Sequence, residues 1–189
     1  MNHLLFRKPA APVRPARRQR GVTLIESLIA VTVTAVALGS ALPGFEQARE
    51  RHHLEGAAAQ LETDIMHTRS LAVARNQGVR MGFESLQAGT CYTVHTGPAN
   101  ACSCDANGVA VCSAGAEAIR TVYFPAQGPV AVRANVRSIL FDPRLGTSTP
   151  TGTLRVVGRG DAAIHQIVNI MGRVRSCSPA GTVAGYPRC

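Results

Sequence analysis

The chain has 189 residues, of which 46% are hydrophobic and 4% aromatic, with no Trp, and its formal charge is +9. That size bounds it to one compact domain outside any membrane segment. Residues 1–21 hold Arg7, Lys8, Arg14, Arg17, Arg18 and Arg20 and no acid, so removing those six charges from +9 leaves +3, which excludes reading the high charge as a property of the folded domain.

Residues 1–19 are rich in Pro, Ala and Arg, and Pro9, Pro12 and Pro15 block a regular helix. The segment reads as a disordered leader, long enough to allow a later true start. Residues 22–42 form an apolar run whose sole charged side chain is Glu26. As a helix it spans about 31 Å at ~1.5 Å per residue, enough to cross a bilayer core. An ordinary secretory signal, with Ala35-Val36-Ala37 as its small-residue cleavage site, is the plainer reading. Signal cores are shorter, about 7 to 15 residues, and carry no acid at their start. Basic residues before the span place the leader in the cytoplasm and the rest outside.

A carboxylate near the end of such a span needs a partner, and nothing else in the segment can neutralise Glu26. Gly21-Val22-Thr23-Leu24-Ile25-Glu26 resembles the processing signal of type IV prepilins and type II secretion pseudopilins. The resemblance implies cutting between Gly21 and Val22 by a prepilin peptidase, N-methylation of Val22, and pairing of Glu26 with the amino terminus of a neighbouring subunit during assembly. Val22 stands where that family usually has phenylalanine.

Gly39, Pro43 and Gly44 oppose helical continuity and predict a kink or local melting. Residues 43–77 then continue as an amphipathic helix. Leu54, Ala58, Leu61, Ile65, Thr68 and Ala72, with Leu71 beside them, recur at spacings of four and three and form one stripe fit to pack on a sheet. Glu46, Glu50, Glu55, Glu62 and Asp64 alternate with Arg49, Arg51, Arg69 and Arg75 on the remaining surface. Gly56 and Ala57-Ala58-Ala59 make a weak coiled-coil seam. His52-His53 reads as surface and His67 as a packing residue.

Residues 78–189 change character. Runs at 79–83, 90–95, 119–124, 130–136, 138–141, 153–157 and 165–170 read as short strands between Gly, Pro and Asn turns, predicting an antiparallel sheet domain. Cys91, Cys102, Cys104, Cys112, Cys177 and Cys189 all follow the span, where an oxidising compartment favours disulfides. Sequence does not choose among the pairings; Cys91 with Cys177 is preferred because each lies beside a predicted strand. Residues 96–115 read as a disulfide-tied loop. Cys102-Ser103-Cys104, Cys112 and His95 have poor spacing for zinc, and no metal or cofactor is expected. No nucleophile elbow, helical metal-binding His pair or phosphate-cradling glycine loop is recognisable, so no enzyme is expected.

The closing stretch, Gly172-Arg173-Val174-Arg175, sets two arginines at i and i+2, which share a face if extended. No acid follows Asp161, and residues 172–189 add Arg188 and Tyr186 on a segment rich in Pro and Gly. Flexible basic segments suit phosphate backbones; the alternative is a solvated edge strand that basic residues protect from aggregation. Arg155 and Arg159 would extend the surface if the fold brings them near.

With the helix end at 69–76 and Ile139-Leu140-Phe141-Asp142-Pro143-Arg144-Leu145-Gly146, this ending resembles the H-type pseudopilin (GspH) and FimT-type minor pilin family. The fold so implied is α+β: a long N-terminal helix, transmembrane then amphipathic, packed on an antiparallel sheet domain. The resemblance implies a low-abundance subunit at the tip of a type IV pilus or type II secretion pseudopilus, anchored in the inner membrane with its domain periplasmic. Other pilins or pseudopilins are its partners. FimT-like members bind DNA during natural transformation through a Gly-Arg-x-Arg ending, which carries over to Arg173 and Arg175, with Arg188 beside them. The H-type alternative is structural and binds no DNA.

Overall fold

A computed structural model describes residues 21–189, without the side chains of residues 40–43. Helix α1 is Leu24–Arg75, and its backbone is helical across 39–44, against the melting expected there. Two compact units are distinguished, the first ending at Leu42 and the second being Pro43–Cys189. In the first, the large apolar side chains from Leu24 to Leu38 are all exposed. Three of its hydroxyls bond to the helix itself. The hydroxyls of Ser27, Thr32 and Thr34 donate to the carbonyls of Leu24, Leu28 and Ala30 at 2.8, 2.7 and 2.7 Å, so none is left bare in an apolar surrounding.

In the second unit, α1 ends as its last turn dictates. Asn76 takes a left-handed conformation at φ 48°, and the amides of Asn76 and Gln77 donate to the carbonyls of Val73 and Ala72, a Schellman closure. The chain then forms β1 (Val79–Leu86), β2 (Gly89–Thr96), β3 (Cys102–Cys104), β4 (Ala110–Cys112), β5 (Ala118–Pro125), β6 (Ala131–Ala134), β7 (Ser138–Phe141), β8 (Ser148–Thr149), β9 (Gly152–Val157), β10 (Ala163–Val168) and β11 (Val174–Cys177). These make a five-stranded sheet in the order β5-β2-β1-β7-β8, a four-stranded sheet in the order β11-β10-β9-β6, and the hairpin β3-β4. Every pairing between these strands is antiparallel.

Both large sheets close over α1. Leu54, Ala58, Leu61, Ile65, Thr68 and Ala72 are buried as the periodicity requires, in one core with Val79, Met81 and Tyr92 of the first sheet and Leu154, Val156 and Ile164 of the second. Two polar contacts set the docking. The Tyr92 hydroxyl donates to the Asp64 carboxylate at 2.7 Å, and the Gln166 amide donates to the Ala58 carbonyl at 3.1 Å.

Asp64 is therefore not on the solvated flank. It is 3% exposed and pairs with Arg120 of β5 at 2.9 Å, because its spacing of three from Leu61 and four from Thr68 puts it beside the stripe. Burial, then Asp64, pushes the Tyr92 phenol far above its ordinary pKa. His67, read as a packing residue, is exposed.

The preferred Cys91–Cys177 pair is also corrected. Cys91 is on β2 of the first sheet and Cys177 on β11 of the second, so they close elsewhere. The disulfides are Cys91–Cys104, Cys102–Cys112 and Cys177–Cys189. The first two order part of 96–115 as a hairpin where a loop was expected.

The core lies between Leu54 and Tyr186, so a fragment from Glu46 carries all of it. Tyr92→Phe in that fragment removes a buried bond to a charged group and should lower stability in urea by about 1.5–3 kcal/mol. An unchanged urea midpoint would mean that Asp64 is held by Arg120 alone.

Candidate functional site

Two groups of residues carry the functional reading, one in each unit. At the amino terminus, residues 21–23 are non-helical and exposed, leaving the Gly21–Val22 bond two residues outside α1. Thr23 is the N-cap: its carbonyl accepts from Ser27 at 3.2 Å, and its hydroxyl accepts from the Glu26 amide in a longer 3.4 Å contact. The Thr23-x-x-Glu26 spacing is that of a capping box, with the acid in the positive first turn of the helix. Glu26 is exposed and makes no ion pair among the described residues.

In the second unit, β10 and β11 are joined by a tight turn at 169–173. The Gly172 amide donates to the Asn169 carbonyl at 2.8 Å, and the Asn169 side-chain oxygen accepts from the Arg173 amide at 3.0 Å. Gly172 sits at φ 68°, and a Cβ there would come within 2.5 Å of the Gly146 carbonyl oxygen. The turn thus demands the glycine of Gly-Arg-Val-Arg.

From that turn, side chains alternate. Val174 and Ser176 turn toward α1, and the Ser176 hydroxyl lies 2.9 Å from Glu62. Arg173 and Arg175 are exposed on the opposite side, as expected, and neither forms an ion pair among the described residues.

The flexible tail is a correction. Cys177–Cys189 closes residues 178–189 into a loop, Val183 is buried in the core, and Arg51 donates to the Ala184 carbonyl at 3.0 Å. Burial, then Glu55 and Glu62, raises the pKa of Tyr186 in the same loop. Arg188 is exposed on this anchored loop, whose backbone bridges Ser178 and Arg188.

Of the two arginines read as extending the surface, the structure favours one. Arg159 is paired with Glu50 at 3.2 Å. Arg155 of β9 stands opposite His165 of β10, which stands opposite Cys177, so it shares the Arg175 face. Sequence reasoning missed Arg133, which stands opposite Arg155 on β6. The available signal was the alternation Val132-Arg133-Ala134, apolar side inward.

Cys102, Cys104 and Cys112, weighed as zinc ligands with His95, are all in disulfides. Glu84 lies with Cys91 and Cys104, but those sulfurs are bonded to each other and its carboxylate accepts the Cys104 amide at 2.8 Å.

An exposed apolar helix headed by a capped processing signal, joined to a domain of two antiparallel sheets over the helix's second half, defines a membrane-anchored subunit of the type IV pilin class. The family model described as type II transport protein GspH matches residues 57–172, and the prokaryotic N-terminal methylation motif matches residues 16–42. The chain belongs to the GspH family of pseudopilins, whose part is structural rather than catalytic, and its motif implies prepilin-peptidase processing and assembly with other pilins. Among solved structures it is similar to the type IV minor pilin FimU of Pseudomonas aeruginosa in two crystal forms. One is 18% identical with a TM-score of 0.49, covering 67% of this chain and 89% of FimU. The other is 17% identical with a TM-score of 0.46, covering 65% and 90%. No curated protein sequence matches.

Burial, then the charge of Arg155, holds the His165 imidazole below its ordinary 6.5. The folded chain thus binds this proton less tightly than the unfolded chain. The His165 contribution to stability is complete above about 6.5 and is lost as pH falls from there through the lower folded value. Arg155→Gln should raise the His165 pKa in an NMR titration; an unmoved titration would show that Arg155 does not face it.

Proposed function

We propose that this pseudopilin is a minor subunit placed at the tip of a type IV pilus or type II secretion pseudopilus, and that its domain captures DNA. In this reading residues 22–42 span the inner membrane, with the leader cytoplasmic and the domain periplasmic. The peptidase cuts between Gly21 and Val22 and Val22 is methylated. Glu26 then pairs with the new amino terminus of a neighbour, supported by its exposure in the first turn of α1 and its want of an ion pair among the described residues. Arg173, Arg175 and Arg188 are the DNA-binding residues.

The observation that carries the binding function is the exposure of Arg175 on edge strand β11 and of Arg173 just before it, without acid partners among the described residues. Guanidinium groups held in that way make charge-assisted contacts with phosphates at little ordering cost. A purely structural H-type pseudopilin is the second reading. It is favoured by the extent of the family match, which ends at Gly172, just before both arginines; basic residues on β11 would then guard a sheet edge.

Glu26→Ala should leave membrane insertion intact and strongly reduce incorporation into filaments, measured by shearing and immunoblotting; undiminished incorporation would remove the assembly role. For DNA, the fragment from Glu46 is compared with its Arg173→Ala plus Arg175→Ala variant across a salt series. The variant should bind more weakly, with a log–log salt slope shallower by about 2. Equal slopes would favour the structural reading.

A further inference from the structure

The four-stranded sheet has one face on α1 and one turned outward, and the outward face is basic along its width. Strands β6, β9, β10 and β11 contain no Asp or Glu. Their inward residues, including Val132, Leu154, Val156, Ile164, Gln166 and Val168, are buried. The alternate positions place Arg133, Arg155, His165 and Arg175 outward, with Arg173 just before β11.

Register makes this grouping compact. Arg133 and Arg155 are direct cross-strand partners, and Arg155 is in turn opposite His165. Arg175 is opposite Ile167, which is opposite Thr153, so Arg155 and Arg175 stand two strands and two residues apart. At ~4.8 Å per strand and ~3.4 Å per residue their backbones are about 12 Å apart. Like charges directly opposed on neighbouring strands are destabilising, and Arg133 and Arg155 have no ion-pair partner among the described residues. The folded domain therefore holds arginines without ion-pair partners among the described residues on one face of a hydrogen-bonded sheet.

We propose that the outer face of this sheet is a track for the phosphate backbone of double-helical DNA, with Arg133 and Arg155 as binding residues beside Arg173 and Arg175. The proposal rests on the DNA-capture reading above and enlarges its site from one edge strand to the width of the sheet. Duplex DNA presents a charge every ~1.7 Å of axis with both strands counted, so the ~12 Å of duplex alongside the array carries about seven phosphates, of which those on the near side can meet it. The four strands carry no Phe, Tyr or Trp on this face, and thus no platform on which unpaired bases would stack. Contact is to the backbone, without sequence preference. The half-buried aliphatics there, Val157 and Ile167, are not wedges for a lipid surface.

The test uses the fragment from Glu46, whose core and three disulfides are complete, and repeats the key comparison with the full chain in neutral detergent. Binding to a mixed-sequence DNA duplex is measured across a salt series for the parent, for Arg133→Gln plus Arg155→Gln, for Arg173→Ala plus Arg175→Ala, and for Arg75→Gln plus Arg144→Gln. The last removes two exposed charges that lie outside these four strands, one at the end of α1 and one between β7 and β8. The first pair should weaken binding about tenfold or more and flatten the salt slope by about 2, while the control pair changes little. Arg155→Lys, which keeps the charge, should retain binding, and thermal melting should show each variant folded.

If only the Arg173 and Arg175 pair matters, the wide track is overturned and the narrower DNA reading stands. Equal losses in the control pair would reduce the effect to net charge and overturn it as well. Absence of parental DNA binding would sink both readings. Binding to phosphatidylglycerol-containing vesicles in place of duplex would assign the face to a membrane.

Discussion

Two sheets share one helical stripe, and the rest of the soluble unit depends on that constraint. Leu54, Leu61 and Ile65 lie in one core with side chains of β1 and β2 from one sheet and of β9 and β10 from the other. Hydrophobic burial supplies the attraction but not the orientation, since apolar contact is non-directional. Orientation comes from the few buried polar groups. Tyr92 must meet Asp64 and Gln166 must meet the Ala58 carbonyl, because each would otherwise be left unsatisfied at a cost of about 1–3 kcal/mol. One bond belongs to each sheet, so the two are keyed independently to the same helix.

With its inner face committed, the four-stranded sheet can carry charge only on its outer face. Strand alternation does the sorting: Val156 goes in where Arg155 goes out, and Ser176 goes in where Arg175 goes out. The Cys177–Cys189 bond then returns the end of the chain to this edge. Val183 in the core fixes that return, so Arg188 is presented by an anchored loop. Ordering in the free protein reduces the entropy lost when a ligand is bound.

The amino-terminal unit works under the opposite solvent rule. Its described aliphatic side chains are all exposed and the hydroxyls of Ser27, Thr32 and Thr34 bond within the helix, which suits an apolar surrounding and would be costly in water. Glu26 is the exception, at the one end of the helix where a negative charge is favoured by the unpaired amides of the first turn. In the proposed reading the same residue links anchoring to assembly.

What could be read along the chain was whatever depends on neighbours. The processing signal, the apolar span, the stripe from Leu54 to Ala72 and most strands were legible because capping, 3.6-residue periodicity and alternation are local. Asp64 was misread despite a usable spacing, since charge suggested surface and only Tyr92 and Arg120 explain its burial. The hairpin of β3 and β4 was missed because three-residue strands leave no period to detect. By itself, then, the sequence determined a membrane-anchored pilin-like subunit with a helix-on-sheet domain and an arginine-bearing end. Tertiary structure alone decided the division into two sheets, the partners of six cysteines and the meeting of Arg133, Arg155 and Arg175. These depend on register between strands far apart in the chain, and that register follows from how both sheets close over one helix rather than from any local pattern.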